Sequence, residues 1–72
     1  MNPRLDLRGT PCPLNFVRTR LKLEQLPAGT PLEVWLDAGE PMQHVPDSLR
    51  QQGYEILTIQ PQDNYFILTV KA

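Results

Sequence analysis

Leu5-Asp6-Leu7-Arg8-Gly9-Thr10-Pro11-Cys12-Pro13-Leu14 reads as a strand, a turn and the start of a helix. Leu5 and Leu7 alternate with Arg4, Asp6 and Arg8, the period-two pattern of a half-buried strand. Gly9 lets the chain turn. Pro13 biases Cys12 away from the α region, toward the extended backbone of a helix N-cap. Pro13 itself suits the first helical position, where a missing N–H costs nothing. The local reading therefore makes Cys12 the N-cap of the first helix.

Outward from there, Pro27-Ala28-Gly29 ends that helix. Leu32, Val34 and Leu36 alternate with Glu33, Trp35 and Asp37 and predict a second strand. Met42, Val45 and Leu49 fall at i, i+3 and i+7, so a second helix runs through the forties. Pro46 is expected in its first turn, and Gly53 at its end. Residues 54–60 and 65–70 are β-branched and aromatic, and Pro61-Gln62-Asp63-Asn64 joins them as an antiparallel hairpin. The order β-α-β-α-β-β predicts an α/β (α+β) two-layer sandwich: a four-stranded mixed sheet with two helices on one face. Its first βαβ unit should be parallel and right-handed. The order of the remaining strands stays open. With no repeat, linker or low-complexity tract, residues 1–72 read as one domain.

The pattern also assigns faces. Leu32, Val34 and Leu36 point at the helices, so Glu33 and Trp35 point outward, joined by Tyr65 or Phe66 according to register. An outward Trp reads most simply as an isolated surface residue, otherwise as part of a partner surface. The first helix carries two apolar stripes. Phe16, Thr19, Leu23 and Leu26 make the longer one and are assigned to the core. Leu14, Val17 and Leu21 lie nearly opposite. The expected place for this second stripe is sideways against the other helix. Exposed, it would be a docking patch beginning beside Cys12.

Composition excludes several function classes. The chain has 72 residues, one Cys, one His and a formal net charge of −1. A single Cys forms no internal disulfide, and one Cys with one His makes no structural zinc set. No metal or cofactor is expected. The N-terminal stretch shows no signal peptide, and no apolar run could cross a bilayer, so a soluble cytoplasmic protein without membrane contact is expected. Arg4, Arg8, Arg18, Arg20 and Lys22 outweigh Asp6 and Glu24 in the first third, and the remainder is acidic. Solvated arginines explain that asymmetry equally as well as a positive field around Cys12.

A lone Cys is usually a small buried hydrophobe. Its position between two prolines at a strand-to-helix turn argues otherwise, because scaffolds expose functional groups there. An N-cap Cys would face unpaired backbone N–H groups and the positive end of the helix dipole. Arg8 and Arg18 are near enough in sequence to add charge. Such surroundings lower a thiol pKa and supply the nucleophilic thiolate.

Leu5-Asp6-Leu7-Arg8-Gly9-x-x-Cys12-Pro13, a helix, Pro-Ala-Gly, a strand ending in Asp, a Val-Pro helix and a Gly-Tyr-Glu-Ile strand together resemble the TusA/SirA-like sulfur-carrier family across nearly the whole chain. The resemblance implies a β-α-β-α-β-β fold and a cysteine that carries sulfur as a persulfide. Carried over by position, the carrier is Cys12 and the helix-starting proline is Pro13. A cysteine desulfurase or rhodanese-like sulfurtransferase would load the thiol, and an acceptor protein would take the sulfur toward tRNA thiolation, molybdenum-cofactor enzymes or sulfur oxidation. The chain departs from the family twice. Asn15 stands where the family's second motif proline falls, which adds back a backbone N–H that could serve the thiolate. His44 replaces an acidic residue before the Val45-Pro46 pair. His44 reads as a surface residue or helix cap rather than a base for Cys12.

The supporting set is therefore Gly9, Arg8, Pro13, Asn15 and Arg18 around Cys12, with Leu14, Val17 and Leu21 as candidate docking surface. A sulfur carrier, close to a sulfurtransferase in its chemistry, is the leading reading. The alternative is a thiol-independent regulatory or RNA- or protein-interaction module working through the open sheet face. Direct nucleic-acid binding is not expected, since acids outnumber bases and no basic cluster forms. A redox sensor would need a resolving thiol that this sequence lacks.

Overall fold

Alternating burial along Pro31–Asp37 sets the architecture, because Leu32, Val34 and Leu36 are fully buried while their neighbours are half-covered. The computed structural model describes residues 3–11 and 13–72. The elements are β1 (Arg4–Asp6), α1 (Leu14–Gln25), β2 (Pro31–Asp37), α2 (Glu40–Gln51), β3 (Glu55–Pro61) and β4 (Tyr65–Lys71). The sheet order is β1-β2-β4-β3. β1 runs parallel to β2, and β4 is antiparallel to both β2 and β3. This is the expected α+β sandwich, and it supplies the strand order that the sequence left open.

The core lies between the sheet and the helices: Leu7, Leu23, Leu32, Val34, Leu36, Val45, Leu49, Leu68 and Val70 are buried together. Val34 pairs with Leu68 and Leu32 with Val70, so both strands send the same parity toward the helices. The register Asp37↔Tyr65 and Leu36↔Phe66 settles the aromatic question. Tyr65 joins Trp35 on the open face, and Phe66 turns the other way. In β3 the register slips between Ile56 and Thr58, which leaves Leu57 outside the ladder and exposed.

The second helix starts earlier than the sequence suggests. Gly39, at φ 99°, turns the chain into it, and the Met42 and Gln43 N–H groups donate to the Gly39 carbonyl. Pro41 takes the early position that tolerates proline. Pro46, expected in the first turn, is instead a buried interior residue. Its ring fits a helical φ, but it donates no bond to the Met42 carbonyl. His44 consequently lies within the helix rather than at its start, exposed and not as a cap.

Candidate functional site

The parallel pairing of β1 with β2 carries the chain straight into the turn of interest. The Leu7 N–H donates to the Trp35 carbonyl at 2.9 Å, extending the ladder one residue beyond β1. The Thr10 N–H then donates to the Leu7 carbonyl at 3.0 Å, closing a tight turn. Gly9 occupies it at φ 79°, a conformation costly for any residue with a Cβ. The Gly9 N–H donates to Asp37 Oδ2 at 2.6 Å, so the last residue of β2 holds the turn leaving β1. On the far side, the Asn15 N–H donates to the Pro11 carbonyl at 3.2 Å and the Val17 N–H to the Pro13 carbonyl at 3.0 Å. Cys12, which lies outside the described residues, is thus bracketed in sequence by two fixed segments.

Three expectations for this region change. Pro13 is the N-cap of α1 (φ −95°, ψ 11°), not its first helical residue, because the helix proper begins at Leu14, so the cap expected at Cys12 falls one residue later. The Asn15 backbone N–H, offered by the sequence to a thiolate, is already donated to Pro11. Arg8 is committed elsewhere as well. Its Nε and Nη2 donate to Asp6 Oδ1 and Oδ2 at 2.9 and 2.8 Å, and its N–H donates to Oδ1 at 3.1 Å. These bonds lower the Asp6 carboxyl to a pKa of about 2, and the same contact raises that of Arg8. Arg8 and Asp6 are therefore a neutral pair rather than an uncompensated positive charge. Arg18 is exposed on α1, and none of the ion pairs among the described residues includes it.

Asn15 is fully buried. Its Oδ1 accepts the Phe16 N–H at 2.7 Å, and its carbonyl accepts the Thr19 hydroxyl at 2.8 Å. Its Nδ2 has no partner among the described residues. Thr19 and Leu23 are buried as assigned, with Phe16 and Leu26 packed against the core. The second stripe, expected to pack sideways, is instead open: Leu14, Val17 and Leu21 are 46, 41 and 54% exposed. The helix turns Asn15, Thr19 and Leu23 inward, and the stripe is then carried round to the solvent side.

The open sheet face holds more than an isolated Trp. The Trp35 and Tyr65 rings are 5.4 Å apart. The Arg8 guanidinium lies 4.8 Å from the Trp35 centroid and 4.7 Å from that of Tyr65, and Arg4 lies 5.1 Å from Trp35. Trp35 Nε1 donates to Glu33 Oε1 at 2.7 Å, and Arg4 pairs with Glu33 at 3.5 Å. No cavity opens among the described residues, and no three metal-ligating side chains converge among them. No helix is long and apolar enough to cross a membrane.

Asp37 is the neighbour of the Gly9 turn that residue-by-residue reading missed. Its signal was present: in a parallel pair both strands end at the same edge, so the Asp closing β2 must adjoin the turn after β1.

The sequence profile of the sulfurtransferase TusA family matches residues 4–72. The chain belongs to this family. Relatives in Archaeoglobus fulgidus and Thermotoga maritima are each named "putative sulfur carrier protein". The first is 41% identical, with the match covering 82% of this chain and 67% of the relative. The second is 36% identical over 78% and 71%. Escherichia coli K12 has a YedF protein of the same description, 40% identical over 79% and 74%. The fold of this TusA-family chain superposes on a solved SirA-like protein from Desulfitobacterium hafniense with a TM-score of 0.81. That match is 23% identical in sequence and covers 96 and 95% of the two chains.

Proposed function

We propose that this TusA-family chain carries sulfane sulfur as a persulfide on Cys12. The observation that supports the reading most is the Cys12-Pro13 pair at the strand-to-helix junction of a chain that matches the family along nearly its whole length. In the loading step the Cys12 thiolate attacks the outer sulfur of a donor persulfide. A new S–S bond forms on Cys12, the donor's S–S bond breaks, and its electron pair leaves on the donor sulfur as a thiolate. In delivery an acceptor nucleophile attacks the outer sulfur, and Cys12 leaves as thiolate. Sulfane sulfur moves without net oxidation, so neither step requires an oxidant. The chain needs an accessible thiolate and a docking surface, and partners supply the rest.

The donor in this scheme is a cysteine desulfurase or rhodanese-like enzyme. The acceptor is a protein serving tRNA thiolation, molybdenum-cofactor enzymes or sulfur metabolism, in the cytoplasm. The exposed stripe Leu14, Val17 and Leu21 is the docking surface, running along α1 from just beyond Cys12 with Arg18 among it. The thiol-independent alternative draws less support, because Arg4 and Arg8 already sit against the rings a stacked base would use.

The test is mass spectrometry after incubation with a cysteine desulfurase and cysteine. One reducible extra sulfur is expected on the wild type and none on Cys12→Ser. No uptake from any desulfurase or rhodanese would overturn the proposal.

A further inference from the structure

We infer that Asp37 is a positioning residue for sulfur transfer, resting on the carrier reading above: its carboxylate fixes the turn that presents Cys12 to a partner protein. Asp37 belongs to β2, far along the chain, yet Oδ2 accepts the Gly9 N–H at 2.6 Å. Gly9 stands at φ 79°, and an added Cβ there would meet nothing within 4 Å, so no neighbouring atom crowds the glycine itself into place. Hydrogen bonds hold the turn: the carboxylate bond at Gly9, the Thr10-to-Leu7 bond at 3.0 Å and, within the chain's own preceding residues, the bond from the Arg8 N–H to Asp6 Oδ1 at 3.1 Å. From Gly9 onward only Thr10 and Pro11 precede Cys12, and proline fixes its own φ. The Pro11 carbonyl is then anchored by the Asn15 N–H at 3.2 Å. A displacement at Gly9 is thus passed toward Cys12 along a short chain with few soft torsions.

The neighbouring Arg8–Asp6 pair does not substitute for this bond. Its donors and acceptors are occupied within the pair, and Arg8 lies over Trp35 and Tyr65 on the open face. Among the described residues, Asp37 accordingly supplies the side-chain bond that ties the tip of this turn to β2, beyond the Leu7-to-Trp35 ladder bond at its base. Transfer between two proteins demands a defined approach of the sulfurs, whereas a small alkylating reagent reaches a thiolate from many directions. Loss of the tie should therefore separate the two reactions.

The experiment compares Asp37→Ala and Asp37→Asn with the wild type. It measures the initial rate of persulfide loading by a cysteine desulfurase, the iodoacetamide rate of Cys12 across pH, and hydrogen exchange of the Gly9 amide. Asp37→Ala should load about tenfold more slowly, in keeping with the steep geometric demand of such steps. Its alkylation profile should stay within about twofold of wild type, and its Gly9 amide should exchange faster. Asp37→Asn keeps an acceptor oxygen and should recover most of the loading rate even if the Ala variant folds poorly. Equal loading by all three proteins would overturn the assignment, and so would a parallel fall in loading and alkylation. A wild type that takes up no sulfur would overturn the carrier reading itself, and this assignment with it.

Discussion

Asn15 Oδ1 accepts the Phe16 N–H at 2.7 Å, which fixes the orientation of a fully buried amide whose Nδ2 finds no acceptor among the described residues. Flipping the amide would set two donors against each other. One satisfied bond is worth about 1 kcal/mol, and a buried donor left unpaired costs about 1–3 kcal/mol. The two terms nearly offset. Asn15→Leu, which keeps the branched heavy-atom skeleton but is bulkier and leaves the Phe16 N–H without its acceptor, should therefore change unfolding stability by less than about 2 kcal/mol in urea. Asn15→Ala, which also opens a cavity, should be clearly worse. A loss above about 2 kcal/mol for the Leu variant would mean that Nδ2 does have an acceptor.

The Asp6 carboxyl, held down to about 2 by the Arg8 fork, predicts a particular acid limb. A depressed carboxyl contributes stability that is present above its ordinary value of 3.8 and is lost as pH falls through about 2. The contribution is small, because both side chains are largely in water. The titration itself is the sensitive readout. Followed by carboxyl NMR, the Asp6 midpoint should rise toward 3.8 in Arg8→Gln. An unchanged midpoint would show that the fork does not hold in solution.

Arg8 also lies between Trp35 and Tyr65, with both centroids within 5 Å of the guanidinium carbon. Exposed cation–π contacts contribute about 0.5–1 kcal/mol. A double-mutant cycle with Arg8→Gln and Trp35→Leu should return a coupling of about that size in urea unfolding. Emission from Trp35, the chain's one tryptophan, should also shift in Arg8→Gln. Zero coupling would make the stack a matter of proximity alone.

The layer order was legible because it depends on local period. Leu32-Val34-Leu36 and the 65–70 stretch declare a buried face without reference to anything distant. What depends on strand order was not legible. Trp35 reads as isolated until β1 and β4 are placed on either side of β2, bringing Arg4, Arg8 and Tyr65 to it from separate parts of the chain. Pro46 was misplaced because one proline in a helical pattern argues for a first turn. Here Pro41 had already filled that role. At the candidate site, the proposed role of Cys12 rests on its neighbours in sequence. Burial of Asn15 and the reach of Asp37 required the helix phase and the parallel pairing.

The α1 stripe separates a docking role from a structural one. Leu14, Val17 and Leu21 are about half exposed, and none belongs to the buried core. Replacing Val17 or Leu21 with Lys removes little native packing, so stability should stay within about 0.5 kcal/mol of wild type. If a sulfur donor covers the stripe, burying one such side chain is worth about 1.5–3 kcal/mol. Leu21→Lys should then raise the KM for loading by a desulfurase about tenfold or more, with kcat little changed, because the lost contact acts on binding. Leu21→Met, apolar and adaptable, should remain near wild type. The lysine's own charge needs a control, since Arg18 shares this helix face and an acidic partner could attract the added cation. Leu21→Gln supplies it, being polar without charge, and should share the higher KM. Unchanged KM in both the Lys and Gln variants would remove the stripe from the docking surface.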